Sequence, residues 1–182
     1  MARQLLVRRD VIGSCVLLVI VALLIVRPWE GDESDGPASA TAVVARVVDG
    51  DMIEARIGGE TEDVRLIGVD TPETVKPGAP VECYGPQASR FTHQLLEGKR
   101  VRLVFGEERR DAYDRLLAYA YLDPAVEAHA PDRPRFVNAT LVRRGLAHAL
   151  TIPPNDRFAS FFERLELRAA RAGRGLWGAC LP

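Results

Sequence analysis

A chain of 182 residues with a formal net charge of −1 has room for one domain and an appendage. It is not generally basic, so a polyanionic partner must meet a local site and not a charged face of the whole molecule. The 47% hydrophobic content overstates the core, because part of it is gathered in one block near the N-terminus.

That block is "VIGSCVLLVIVALLIV" (11–26), which contains no charge. Residues 1–10 form a basic flank, with Arg3, Arg8 and Arg9 against Asp10, and the acidic run "PWEGDESDG" follows. This polarity predicts that the rest of the chain is exported. The block's length lies between a signal-peptide core and a spanning helix, and the nearest small-x-small residues, Ala38–Ala42, stand well beyond it. It is read as an uncleaved single-pass anchor in the cell membrane, with Trp29 at the interface; cleavage would instead give a secreted protein. Cys15 is then a small apolar residue of the span. Removing residues 1–26, with three arginines and one acid, leaves −3 on the exported part. Cys83 and Cys180 lie there, and an even pair in an oxidising compartment favours a disulfide over two buried thiols.

Residues 27–41, rich in Gly, Pro and Ser, read as a flexible tether, and residues 42–182 as the folded domain. "TAVVARVVDGDMIEARIGGETEDVRLIGV" carries three β-branched runs separated by "DGD" and "GGE", which predicts a three-stranded meander. After the "VKPGAP" loop, Pro86 suits the first turn of a helix whose apolar face is Ala88, Phe91 and Leu95, stopped by Gly98. "RVRLVF" (100–105) and "RLLAYAYL" (115–122) read as two further strands, and "DPAVEAHAPDRPR" (123–135) as a long surface loop. "VNATLVRRGL" predicts a short helix ending at Gly145. Phe158, Phe161, Phe162 and Leu165 form the core-facing stripe of another. The order is that of an α+β, mainly β, fold: a five-stranded barrel of the oligonucleotide-binding (OB) type with three helices.

Three stretches carry chemistry. "DGD" (49–51) sits at a hairpin turn. "RLIGVDTPE" (65–73) sets Arg65 inside an apolar strand and two carboxylates, Asp70 and Glu73, around a proline that ends it. "DAYDRLLAY" (111–119) places Arg115 at the mouth of another strand. A guanidinium in an apolar strand needs an anion opposite it. A structural Arg–carboxylate pair is the ordinary reading of Arg65 alone, and a plain turn that of "DGD". His93, His129 and His148 lack ligand spacing with one another or with cysteine, so no zinc site is expected.

Read together, "DGD", "RLIGVDTPET", "YGPQAS", "DAYDRLLAY", "LVRRGLA" and "GLWG" resemble the staphylococcal nuclease (thermonuclease) family, over residues 42 to about 180. The resemblance implies a Ca²⁺-dependent phosphodiesterase acting on DNA and RNA and leaving 3′-phosphate ends. By motif, Asp51 and Asp70 become calcium carboxylates and Thr71 offers its backbone carbonyl. Glu73 becomes the base that acts on the attacking water, Arg65 and Arg115 the phosphate clamps, and Tyr113 a neighbour of the nucleotide phosphate. "VECYGPQAS" and "GLWGAC" resemble exported relatives in which the pair Cys83–Cys180 is a disulfide. Calcium prefers hard oxygen donors, and an anionic diester yields to attack only when positive charge faces its oxygens.

The chain departs from the family at Met52, where Thr often follows "DGD". Asp114 stands where Gly precedes the second Arg, and its charge is expected to compete for Arg115. Leu150 and Ile152 fall roughly where the best-known member has two base-stacking tyrosines, which predicts weaker nucleotide binding. The alternative of a different class is a non-catalytic OB module that binds an oligonucleotide or a protein at the cell envelope. The intact set Asp51, Arg65, Asp70, Glu73 and Arg115 argues against it.

Overall fold

The computed structural model describes residues 39–75, 78, 80–122 and 136–180. The apolar block 11–26, most of the tether and the 123–135 loop lie outside the described residues. Among the described residues, no helix is long and apolar enough to cross a membrane.

Five strands close into a barrel: β1 (Ser39–Asp49), β2 (Met52–Ile57), β3 (Glu60–Leu66), β5 (Arg100–Arg110) and β6 (Leu116–Leu122), in the order β1-β2-β3-β6-β5 with β5 returning to β1. Period-2 alternation drives this. Ile53 and Ala55 of β2, Val101, Leu103 and Phe105 of β5, and Leu116, Ala118, Ala120 and Leu122 of β6 are all buried. In β1 the buried positions run Ala42, Val44, then Val47, because the register with β2 shifts between Val44 and Arg46. Such a bulge turns the strand enough to close the barrel. Among the described strands, β3 and β6 are the one parallel pair, with Arg65 opposite Leu117. β1 begins at Ser39, inside the stretch read as a tether, and its first residues pair with Leu103 and Val104 of β5.

Three helices cover the barrel as the apolar spacing predicts. α1 (Gly85–Leu96) buries Ala88, Leu95 and Leu96, α2 (Val137–Arg144) buries Val137, Leu141 and Val142, and α3 (Ala159–Arg171) buries Phe162, Leu165 and Ala169. Phe158 and Phe161 are partly buried against the same core, so the phenylalanine stripe packs inward. Two elements had no periodic signal. One is a small second sheet of β4 (Val69–Asp70) with β7 (His148–Ala149). The other is a last helical turn, α4 (Leu176–Ala179).

α4 is fixed at both ends. Its Leu176 N–H donates to Gly145 O at 2.8 Å. Gly145 has φ 69°, and a Cβ there would fall 2.2 Å from Arg174 O, so only glycine ends α2 in this way. The Cys83–Cys180 disulfide, with Cα atoms 5.9 Å apart, ties α4 to the approach of α1. Closing that loop stabilises the fold by roughly 4–5 kcal/mol in the chain-entropy model.

Candidate active site

Three hairpin ends meet at one rim of the barrel. Asp49–Asp51 forms the β1–β2 turn, Arg65 to Asp70 spans the end of β3 and all of β4, and Asp111–Arg115 turns β5 into β6. Together with the 150–155 segment they enclose a cleft of about 320 Å³ lined by Asp51, Arg65, Asp70, Thr71, Glu73 and Arg115, among others. The register brings the two arginines to it, since Met52 pairs with Arg65 and Arg65 lies opposite Leu117, two residues beyond Arg115.

The "DGD" turn is held from behind and in front. Thr92 of α1 is fully buried and donates its hydroxyl to Gly50 O at 2.7 Å. A Cβ on Gly50 would lie 2.7 Å from the Thr71 side chain, so glycine lets the two loops touch. Thr71 N–H then donates to Asp51 Oδ2 at 2.8 Å. Behind the β3–β4 turn, Gly68 takes φ 79° directly over the Phe162 ring, and buried Asn138 donates to Ile67 O at 2.8 Å.

Charge is concentrated around Arg65. Its guanidinium pairs with Asp51, which is 2% exposed, and with Asp70 Oδ1 at 2.8 Å, and donates to Val69 O at 3.3 Å. Burial pushes the Asp51 carboxyl above its ordinary value, against the pull of Arg65 and the Thr71 N–H. Burial also opposes charge on Arg65, but Asp51 and Asp70 outweigh it. Asp49 is also buried and accepts Gly50 N–H at 2.8 Å and the Thr74 hydroxyl at 2.6 Å. Burial raises its carboxyl, and the nearby Glu73 carboxyl adds to the rise. Glu73 is aimed by its own loop, with Oε1 accepting Thr74 N–H and Val75 N–H, each at 2.9 Å. Glu73 N–H donates to Glu82 Oε2 at 3.0 Å and Glu82 N–H returns to Glu73 O at 2.9 Å, so the residues before α1 clamp the Glu73 backbone.

Arg115 is held differently. Asp111 accepts from its Nε at 2.7 Å and pairs with Nη2 at 2.6 Å, while Nη1 rests 3.2 Å from Met52 S. Asp111 also accepts the backbone N–H groups of Tyr113 and Arg115, closing the turn. Partial burial pushes the Asp111 carboxyl up, but Arg115 and these N–H groups outweigh it and hold it below the ordinary carboxylate value. Tyr113 is 81% exposed and lies 5.2 Å from the Arg115 guanidinium.

Asp114 does not compete for Arg115, contrary to the expectation from sequence. It takes the left-handed conformation that glycine would, with φ 65°, and this turns its carboxylate toward Arg110 Nε at 3.6 Å. Asp111 is the carboxylate that pairs with Arg115. Leu150 and Ile152 do line the cleft, and both are exposed.

Among the described residues no three His, Cys, Asp or Glu side chains converge as a metal-binding group. Two carboxylates, Asp51 and Asp70, do converge on one cation, the Arg65 guanidinium, and the adjoining Thr71 Oγ1 is buried without a hydrogen-bond partner. An all-oxygen set with an unpartnered hydroxyl oxygen beside it fits a hard cation better than a transition metal.

The family described as "Staphylococcal nuclease homologue" matches residues 63–179. The chain belongs to this family. It is 38% identical over 170 residues to the "Thermonuclease" of Staphylococcus intermedius, covering 91% of this chain and 95% of that one. It is 34% identical to the "Thermonuclease" of Staphylococcus hyicus, covering 88% and 95%. The "Endonuclease YncB" of Bacillus subtilis is 36% identical over 134 residues, covering 72% of this chain and 59% of that one.

As a staphylococcal nuclease homologue the chain also uses residues that no motif singled out. Asn155 is buried, donates to Glu108 O at 2.9 Å and accepts Glu108 N–H at 3.1 Å, so its amide pins the 150–155 segment to β5 like a strand residue. Gly106 makes room, since a Cβ there would lie 2.3 Å from Asn155 Oδ1. "PPND" beside a glycine in a strand was the available signal, but it reads first as a turn.

Proposed function

We propose that the chain is an exported, Ca²⁺-dependent nuclease that hydrolyses phosphodiester bonds of DNA and RNA and leaves 3′-phosphate ends. The observation that carries this reading is the convergence of Asp51, Asp70, Glu73, Arg65 and Arg115 on one cleft in a member of a nuclease family. Export, with the 11–26 block as anchor or signal, accords with the disulfide Cys83–Cys180.

Calcium, held by the Asp51 and Asp70 carboxylates and the Thr71 carbonyl, would supply positive charge to a phosphate oxygen. The protein's own groups do the rest. Glu73, held by two backbone N–H groups, takes a proton from a water in the cleft. The water oxygen forms a bond to phosphorus while the bond to the 5′ oxygen breaks. That oxygen leaves and takes a proton from solvent water, and the phosphate stays on the 3′ side. Arg65 and Arg115 donate to the non-bridging oxygens as their negative charge grows. Both first exchange carboxylate partners for the phosphate: Arg115 leaves Asp111, and Arg65 loosens from Asp70, whose side chain is 53% exposed. Tyr113 flanks the same phosphate beside Arg115. Leu150 and Ile152 offer an apolar floor without aromatic stacking, so base contacts add less affinity than an aromatic pair would, by about 1–3 kcal/mol per base.

Glu73→Gln tests the assignment. The amide keeps the acceptor for the Thr74 and Val75 N–H groups and cannot take a proton. Cleavage is expected to fall by about 10²–10⁴-fold with the melting temperature little changed. Turnover within a few-fold of the wild type would remove Glu73 as the base.

A further inference from the structure

A second concave surface lies beyond the disulfide. Arg143 and Arg144 from the last turn of α2 and Arg174 from the turn before α4 line a cleft of about 540 Å³ together with Tyr84 and Phe91. All three arginines are exposed, and none forms an ion pair with a described residue, unlike Arg46, Arg65, Arg110 and Arg115.

Their ordinary role would be to offset the negative end of α2. That end is already satisfied. Gly145 N–H donates to Val142 O at 3.0 Å, Leu146 N–H to Leu141 O at 2.9 Å, and Leu176 N–H to Gly145 O at 2.8 Å. Arg174 Nη1 alone reaches a carbonyl, Arg143 O, at 3.4 Å. The Arg144 guanidinium carbon lies over the Phe91 ring, 4.9 Å from its centre, a cation–π contact. Three like charges are thus gathered in one hollow of a domain that is otherwise acidic. Repulsion among them favours an anion, and forked guanidinium donors suit phosphate oxygens.

A groove runs from the active site toward the hollow. Asp70 and Thr71 line both the active-site cleft and a groove that passes over Cys83 and Cys180 to Leu176. Tyr84 and Gly175, the chain neighbours of Cys83 and Leu176, line the arginine hollow.

From this arrangement we infer that Arg143, Arg144 and Arg174 form a second phosphate-binding subsite, which holds the backbone of a nucleic-acid strand away from the bond being cut. Phe91 and Tyr84 offer ring faces beside it. The inference rests on the nuclease reading above and adds to it a requirement for long substrates, because a single nucleotide in the active site does not reach the hollow. It also supplies cationic grip to a domain that has no net positive charge and whose cleft lacks aromatic stacking.

The test compares the full chain with R143Q/R144Q/R174Q and with the matching triple lysine variant. A labelled single-stranded oligonucleotide of about twenty nucleotides is titrated in chelator, so that binding is read without cleavage. Cleavage of a small aryl phosphodiester of one nucleotide is measured in Ca²⁺. The glutamine variant is expected to bind the oligonucleotide at least about tenfold more weakly. Its slope of log K against log salt should be shallower by about two, for three lost phosphate contacts on a single strand. The lysine variant should recover the slope, and the small diester should be cut at the wild-type rate by all three proteins. Unchanged oligonucleotide affinity and slope in the glutamine variant would overturn the subsite. So would a variant that keeps oligonucleotide affinity and loses binding to vesicles of anionic phospholipid, since the hollow would then face a membrane. If the wild type cuts neither substrate, the nuclease reading fails, and the titration in chelator still decides the subsite. If the glutamine variant does not fold, Arg174→Gln alone, in an exposed turn, carries the same comparison.

Discussion

The two arginines of the cleft are placed by different means. Arg65 stands in β3 with its carboxylate partners contributed by other elements: Asp51 from the β1–β2 turn and Asp70 from β4. Its side chain is 19% exposed and Asp51 is nearly enclosed, so the pair is part of the packed rim. Arg115 is paired within its own hairpin to Asp111, four residues earlier, and the same carboxylate closes the turn. Barrel topology thus fixes the first arginine, and local turn chemistry fixes the second. The first should be inseparable from stability, and the second free to be tuned.

The largest effect should come from breaking the topological clamp. Arg65→Leu removes the cation that Asp51 faces and leaves a buried carboxylate without compensation. In chelator, urea unfolding should show a loss of about 3 kcal/mol. Arg115→Leu should lose about 1 kcal/mol or less, because its pair is local and partly exposed. Both variants should cleave at least about a hundredfold more slowly. Equal losses of stability would erase the distinction.

A smaller effect sharpens the second clamp. Asp111→Asn retains an acceptor for the Tyr113 and Arg115 N–H groups and removes the charge that occupies Arg115. Oligonucleotide binding should tighten a few-fold in a titration with Glu73→Gln as background. Because the Asp111 carboxyl is held low in the fold, its stabilising contribution is complete above the ordinary carboxylate pKa of about 4 and is lost as pH falls through the lower folded value. That acid step should be missing from the unfolding curve of the asparagine variant. Weaker binding would mean that Asp111 orients Arg115 for the phosphate more than it competes for it.

The smallest effect belongs to Asp114. Its left-handed backbone suits glycine, and its exposed partner Arg110 also pairs with Glu62. Asp114→Gly should raise stability by up to about 1 kcal/mol and leave cleavage unchanged. A fall in cleavage would restore Asp114 to the site.

The same contrast explains what the sequence disclosed. The hairpins, the helix stops at Gly98 and Gly145 and the inward stripe of α3 are local signals, and they appear in the fold where periodicity and turn residues placed them. Asp51, Arg65, Asp70, Glu73 and Arg115 line one cleft, a set that the sequence offered through its resemblance to a family and not through periodicity. The partner of Arg115 was not legible. Asp111 and Asp114 are both acids in one turn, and only the backbone conformation at Asp114 decides between them. The β4–β7 ladder was also hidden, since two-residue strands carry no period. Asn138 and Asn155 look like solvent-facing polar residues in sequence, and their roles exist only once distant backbone groups need partners.

The central claim is that the Asp51–Asp70–Glu73 rim with its two arginines is a Ca²⁺-dependent phosphodiesterase site. The most direct measurement is the digestion of end-labelled single-stranded DNA and RNA by the full chain in Ca²⁺ and in excess chelator, with the chemical nature of the product ends determined. The account predicts cleavage in Ca²⁺ with 3′-phosphate and 5′-hydroxyl ends, loss of cleavage in chelator and recovery on returning Ca²⁺. Cleavage that persists undiminished in chelator, or that leaves 5′-phosphate ends, would contradict it.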